Sequence, residues 1–296
     1  MVNPEYLRNA RSHLIARLQE RVAFARSSRV HRVSRHPVRF ARLAMHRYLP
    51  WSIHELVSVS TFADDRLRIE LSSSAQEAYK YGFHEADLTM ACILLVAPGS
   101  VFVDIGANFG YFTVLAARLV GRSGSVYGFE PTPRTYGMLQ HNVAGLGSVV
   151  IESVAVSSHA GFATLRDYGS EYSGFNTLSD RPRSGLKLKA KVHRVATIAL
   201  DDYFRDLPKP GFVKIDAENA ELAILAGMQN ILATARPVVS LEVGDADPAR
   251  ASRSRDLVDF MSTRGYSPFA VDGVELRPHT PLRRYDDFAN LVFLTE

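Results

Sequence analysis

The sequence predicts a doubly wound α/β fold with a mostly parallel sheet. Short, almost wholly apolar strands alternate with helical segments from Val101 onward, a Gly-rich turn follows the first of these strands, and acidic residues stand at the ends of several of them. Strands that read as continuous apolar runs are covered by helices on both faces, which is the signature of a parallel sheet.

The elements follow in order. VFVDIGANFG reads as a strand and turn, TVLAARLV as a helix, SVYGFEP as a strand, 134–143 as a helix and VVIESVAVS as one strand. GFATLRDY and LKLKAKVHRV then flank a polar segment, 169–185, rich in Ser, Gly and Asp, which is expected to form a lid over an inserted hairpin. The parallel pattern resumes with FVKIDAE, a helix over 221–233, the strand PVVSLEV and a helix near 251–264, and YSPFAVDG and NLVFLTE close the sheet. Upstream, 55–71 reads as two strands around Ala63-Asp64-Asp65, and 72–96 as one helix that stops at Pro98-Gly99. The expectation is a seven-stranded, mostly parallel sheet.

A chain of 296 residues with 46% hydrophobic content can bury one full-sized core plus an appendage. The appendage is expected over 1–50 and the domain over 51–296, with the boundary near Pro50. Cys92 is the only cysteine, so neither an intrachain disulfide nor a thiol metal cluster is expected. It lies in the longest apolar run, 90–97, which is too short for a bilayer, and a cytoplasmic body is the expectation. The net charge of +4 is unevenly placed, since 1–50 holds eleven arginines against Glu5 and Glu20. Leu7, Leu14, Ile15, Leu18 and Val22 fall within roughly a 100° arc of a helical wheel, predicting an amphipathic helix over 4–26. Its basic flanks fit a helix packed on the body or on a partner, a peripheral anchor on anionic lipid, or a nucleic-acid contact or targeting segment.

The chemistry concentrates at strand ends. Asp104 ends the first parallel strand, and Gly106, Ala107 and Gly110 let the backbone turn tightly into a helix. A dinucleotide fingerprint, G-x-G-x-x-G, would need its second Gly where Asn108 stands. A carboxylate at Asp104 would repel a pyrophosphate and attract an ammonium or sulfonium ligand. This argues against a nicotinamide dehydrogenase. Glu130 ends the next strand, 24 residues after Gly106, where a carboxylate can accept both hydroxyl protons of a ribose.

FVDIGANFGYFT, GFEPTP, VKIDAENAE and PVVSLEV, in this order and spacing, resemble the motifs of the FkbM-type methyltransferases over 85–296. The resemblance implies a Rossmann-like class I methyltransferase fold, S-adenosylmethionine as cofactor, and O-methylation of a hydroxyl on a sugar, glycolipid or polyketide. Carried over position by position, it makes Asp104, Gly106, Asn108 and Glu130 cofactor contacts, in a loop that Ala107 and Gly110 complete. Glu85 matches an acidic position before the loop, on a helix expected to line the cofactor cleft. Asp216 would face the methyl group as base or positioning group, with Glu218 beside it. The family usually has Gly where this chain has Asn219, a residue that tolerates a left-handed backbone. That departure is the one support for a non-catalytic binding module.

Other candidates carry weaker patterns. Glu218 and Glu221 suit the N-terminus of the following helix. Glu242 shares a sheet edge with Asp216, yet no third ligand completes a metal site, and none is expected. His84 and His193 are candidate bases whose ordinary reading is a surface residue, and Tyr168, Tyr172 and Phe175 offer stacking faces for a sugar ring. Enzymes that methylate nucleic-acid bases carry Pro and aromatic residues after the fourth strand, and KIDAEN has neither, so no nucleic-acid partner is expected.

Overall fold

Alternation along the first parallel strand decides what the core looks like. The computed structural model describes residues 4–48, 56–71, 75–169, 176–178, 189–245 and 253–295; Tyr172, Phe175 and most of the polar 169–185 segment lie outside them, as does the boundary at Pro50. Three helices come first, α1 (Pro4–Arg26), α2 (Arg29–Arg35) and α3 (Pro37–Tyr48), followed by the hairpin β1 (Leu56–Ser60) and β2 (Arg66–Glu70) and by α4 (Gln76–Tyr81) and α5 (Ala86–Leu95). The first half of the wound sheet comprises β3 (Val101–Ile105), α6 (Tyr111–Val120), β4 (Ser125–Phe129), α7 (Pro133–Val143) and β5 (Val149–Glu152). An insertion follows, with β6 (Ala155–Val156), β7 (Gly161–Asp167), β8 (Lys191–Ile198) and α8 (Leu200–Tyr203). The second half holds β9 (Phe212–Ile215), α9 (Glu221–Ala226), α10 (Gln229–Thr234), β10 (Val238–Val243), α11 (Ser254–Ser262), β11 (Tyr266–Asp272), β12 (Glu275–Pro278) and β13 (Ala289–Thr295).

The main sheet runs β12-β11-β13-β10-β9-β3-β4-β5, with β10, β9, β3, β4 and β5 parallel and β13, β11 and β12 antiparallel. The doubly wound expectation therefore holds, with eight strands instead of seven because β12 pairs with β11. From β3 the chain winds outward to β5 and then returns to β9 on the other side of β3. The switch point thus lies between β3 and β9, where open α/β sheets bind ligands at their carboxyl ends. Val101, Val103 and Ile105 pack into the core under α9, α10 and α11, whereas Phe102 joins the opposite core with α5, α6 and the β1-β2 hairpin.

Three predicted elements are subdivided. VVIESVAVS bends after Glu152: β5 stays in the main sheet, and β6 joins a separate three-stranded sheet in the order β6-β8-β7. The helix expected over 72–96 is two helices, because Phe62 donates its N–H to the Gly82 carbonyl at 2.7 Å and Glu85 adopts a left-handed backbone with φ 45°. The helix over 221–233 breaks at Gly227, where a Cβ would lie 2.2 Å from the Ser157 carbonyl oxygen. Close approach of the β6 connection, invisible to helical periodicity, interrupts it.

The predicted N-terminal helix forms over its expected span and packs on the body. Leu18 is 1% exposed in the core shared with α4 and α5, and Leu14, Ile15 and Val22 lie against it. Arg11 donates to the Leu94 carbonyl at 3.3 Å and also to the Val96 carbonyl, and Arg17 pairs with Asp64. Among the described residues no helix is long and apolar enough to cross a membrane. Leu18→Ala should lower stability by about 2–4 kcal/mol in urea unfolding, whereas a loss below ~0.5 kcal/mol would show that α1 is not seated in the core.

Candidate functional site

The alternation that sends Phe102 toward α6 sends Asp104 the same way, and on β9 it does so for Phe212 and Lys214. Register then sets Asp104 opposite Lys214 across the β3-β9 pair. The Lys214 ammonium lies 3.1 Å from Asp104 Oδ1 and 3.4 Å from Asp216 Oδ2, donates to the Gly106 carbonyl at 3.2 Å, and sits 5.2 Å from the centre of the Phe112 ring. Thr113 Oγ1 donates to Asp104 Oδ2 at 2.6 Å. Asp104 is 0% and Lys214 1% exposed. Burial alone would push the lysine pKa down, but the carboxylates of Asp104, Asp216 and Glu85 hold it above its usual value.

Beyond this pair the strand ends open into a cleft lined by Gly106, Asn108, Glu130, Thr132, Asp216 and Glu218, with an apolar wall that includes Phe129, Val156, Leu165 and Leu178. Three carboxylates line it, and no Lys, Arg or His does so among the described residues. Glu130 is held firmly: its Oε2 accepts the Asn108 N–H at 2.9 Å, and its Oε1 accepts the Thr132 N–H at 2.9 Å and the Thr135 hydroxyl at 2.8 Å. Burial raises its pKa, and these hydrogen bonds oppose the rise. Two lone-pair sites of a carboxylate are thereby committed on Oε1, while Oε2 keeps accepting capacity toward the cleft.

The loops are shaped for close approach. Gly106 has φ 73°, and a Cβ there would lie 1.8 Å from the Asp216 carbonyl oxygen. Its smallness therefore serves the contact between the β3 and β9 turns as well as the tight turn before α6. Asn108 is left-handed with φ 50°, and Gly110 starts α6 at φ 91° against Leu139. Glu218 and Asn219 follow one another with φ 20° and 73°, so the asparagine does adopt the backbone that glycine would. Thr177 pins this turn by donating its hydroxyl to the Glu218 carbonyl at 2.6 Å.

Of the residues singled out in the sequence, Gly106, Asn108, Glu130, Asp216 and Glu218 meet at the cleft. Asp104 does not face it. The carboxylate expected to attract a cationic ligand is taken by Lys214 and Thr113, and the cleft's acidity comes from the other three carboxylates. Ala107 is buried under the loop. Glu85 stands in the break before α5 instead of on a helix lining the cleft; it accepts from Asn290 Nδ2 at 2.9 Å, and burial, with Asp216 nearby, raises its pKa. His84 packs against the rings of Phe109, Tyr111 and Phe112. Glu221 is buried at the start of α9, its Oε1 accepting the Asn219 N–H at 3.2 Å. Glu242 pairs in register with Asn290. His193 lies on β8, 3.6 Å from Asp167, and lines a different cleft. Sequence reasoning missed the roles of Lys214, Thr132 and Thr135. A lysine inside the otherwise apolar FVKI strand is the signal that would have found the first.

The sequence profile of the Methyltransferase FkbM domain matches residues 104–268. The chain belongs to the FkbM methyltransferase family. A relative from Streptomyces tacrolimicus, the 31-O-demethyl-FK506 methyltransferase FkbM, is 28% identical over 51% of this chain and 68% of its own. The hexuronic acid methyltransferase AglP of Haloferax volcanii is 27% identical over 50% of this chain and 58% of its own. The crystal structure of the FkbM methyltransferase of Methylobacillus flagellatus shares 17% identity at a TM-score of 0.41, covering 75% of this chain and 55% of that one. The chain thus spans between about half and two thirds of these relatives. Family membership bears out the resemblance read from the DIGAN and KID-x-E motifs.

Lys214→Met would leave Asp104 buried without its counter-charge, and a loss of about 3–5 kcal/mol in urea unfolding is expected. Adding Asp104→Asn should restore part of it, because no buried charge then stands unpaired. Absence of any recovery would place the loss in packing instead of charge.

Proposed function

We propose that the cleft holds S-adenosylmethionine and that the chain transfers its methyl group to a hydroxyl of a sugar, glycolipid or polyketide-type acceptor. The observation that carries this reading is the charge of the cleft's lining: three carboxylates and, among the described residues, no basic side chain. Such a lining attracts a ligand with an ammonium and a sulfonium and repels one with a pyrophosphate. The residues fit the cofactor's parts. Glu130, fixed by Asn108, Thr132 and Thr135, accepts ribose hydroxyl protons, and the apolar wall around Phe129, Val156 and Leu178 takes the adenine. The name of one relative, which acts on 31-O-demethyl-FK506, supports a hydroxyl acceptor, and that of the other, which acts on a hexuronic acid, supports a sugar.

When bound, the cofactor supplies a methyl group on a positively charged sulfur. The protein's part is to align the acceptor hydroxyl with that carbon, exclude water and receive the proton. Asp216 is suited to the last task. Its side chain is 31% exposed into the cleft, and Lys214 holds its other face at 3.4 Å. With the cofactor bound, Asp216 would receive the proton that the acceptor hydroxyl gives up. Glu218 lines the same end of the cleft, where it limits how the acceptor can enter.

Calorimetric titration tests the assignment. S-adenosylmethionine should bind saturably while NAD does not, Glu130→Ala should weaken the former at least about tenfold, and Asp216→Asn should keep the affinity within about threefold while slowing transfer by ~10²-fold or more. Equal affinity in wild type and Glu130→Ala would overturn the cofactor assignment.

A further inference from the structure

A second cleft opens on the other side of Thr132. It is formed by the N-terminus of α7, the end of β7 and the start of β8, with a volume of about 390 Å³. Among the described residues Arg134, Lys189 and Lys191 bring three cations to its lining, Arg134 being paired with Glu70, and Asp167 brings one carboxylate. That carboxylate is already engaged, because its Oδ1 accepts the Gly169 N–H at 2.9 Å and its Oδ2 faces His193 Nε2 at 3.6 Å. The positive end of the eleven-residue α7 adds to the same field.

The side chains here also hold hydrogen-bonding capacity that the protein does not use. The Tyr168 hydroxyl and Arg134 Nε and Nη2 are each shielded from solvent and have no hydrogen-bond partner among the described residues. Arg134 spends only its Nη1 on Glu70. Buried donors are normally paired, so a group of them around one basic cleft marks a place built for an acceptor of hydrogen bonds. A cluster of donors and cations selects an oxyanion in particular.

The cleft also shares a wall with the cofactor site. Asn176 accepts the Tyr168 N–H at 2.9 Å and donates to Thr132 Oγ1 at 3.3 Å, and Thr132 in turn lines the acidic cleft and donates its N–H to Glu130. We infer that this basic cleft is an acceptor subsite that binds an oxyanion, a carboxylate or a phosphate ester, carried by the molecule to be methylated. The inference rests on the proposed methyl transfer for the word acceptor, though the anion site stands on its own geometry. The division of charge follows from the two ligands: the acidic cleft takes a cation, the basic cleft takes an anion, and neither ligand fits the other place.

Saturation-transfer NMR on the full chain without cofactor, using glucuronate, glucose 1-phosphate and glucose, tests it. At least one of the two anionic sugars should show saturable transfer, at an affinity about tenfold or more above that of glucose, and the stronger of the two identifies the anion as carboxylate or phosphate. Lys191→Glu and, separately, Tyr168→Phe should weaken that ligand by about tenfold and about threefold while leaving S-adenosylmethionine affinity unchanged. Equal signals from glucose and both anions, no signal from either anion, or unaltered affinity in both variants would overturn the subsite. Because these titrations omit the cofactor, failure of S-adenosylmethionine to bind would count against the proposed function and not against the anion site.

Discussion

The Lys214 ammonium, buried between the two strands that meet at the switch point, is the contact on which the site depends. It reaches Asp104 on β3, Asp216 at the end of β9 and the Gly106 carbonyl in the turn between β3 and α6. Each partner belongs to a different piece of the cleft's floor. Burying an ammonium among apolar strands carries a large desolvation penalty, and the arrangement is stable only because carboxylates and carbonyls surround the charge. Such a requirement favours one register of β9 on β3, since a one-residue slip would turn Lys214 toward the opposite core. The same contact leaves Asp216 with one face tied and one face open to the cleft.

Charge is sorted around this anchor. Asp104 and Lys214 neutralise each other and do not line the cleft, so its carboxylates are those of Glu130, Asp216 and Glu218. Glu130 closes the turn into α7 through Thr132 and Thr135 and braces the Asn108 loop while lining the cleft. Thr132 and Asn176 then connect that turn to the hairpin of β7 and β8, where basic side chains take over. Opposite potentials therefore occupy neighbouring clefts with a polar side-chain wall between them, which keeps a cationic and an anionic ligand in separate places.

Much of this was legible in the sequence. The strand–helix rhythm from Val101, the amphipathic helix of 4–26 and the acidic positions at strand ends all rest on local periodicity and spacing, and the doubly wound sheet follows from them. Five of the nine residues proposed for the site meet at the cleft because strand ends in such a sheet converge on one edge. Where the reading failed, the cause was contact between segments far apart in the chain. The helices over 72–96 and 221–233 break where Phe62 and Ser157 press against Gly82 and Gly227.

The sequence by itself determined the order of elements, the family motifs and the kind of chemistry at the strand ends, because each is encoded in residues a few positions apart. Only the tertiary structure decided which carboxylates line the cleft. Asp104 looked like a ligand group from its place beside the glycine loop, but strand register set it against Lys214, 110 residues away. Periodicity shows that Asp104 and Lys214 each lie on one face of a strand. It does not show that the two faces coincide, and that coincidence is what removes one charge from the cleft and fixes another beside it.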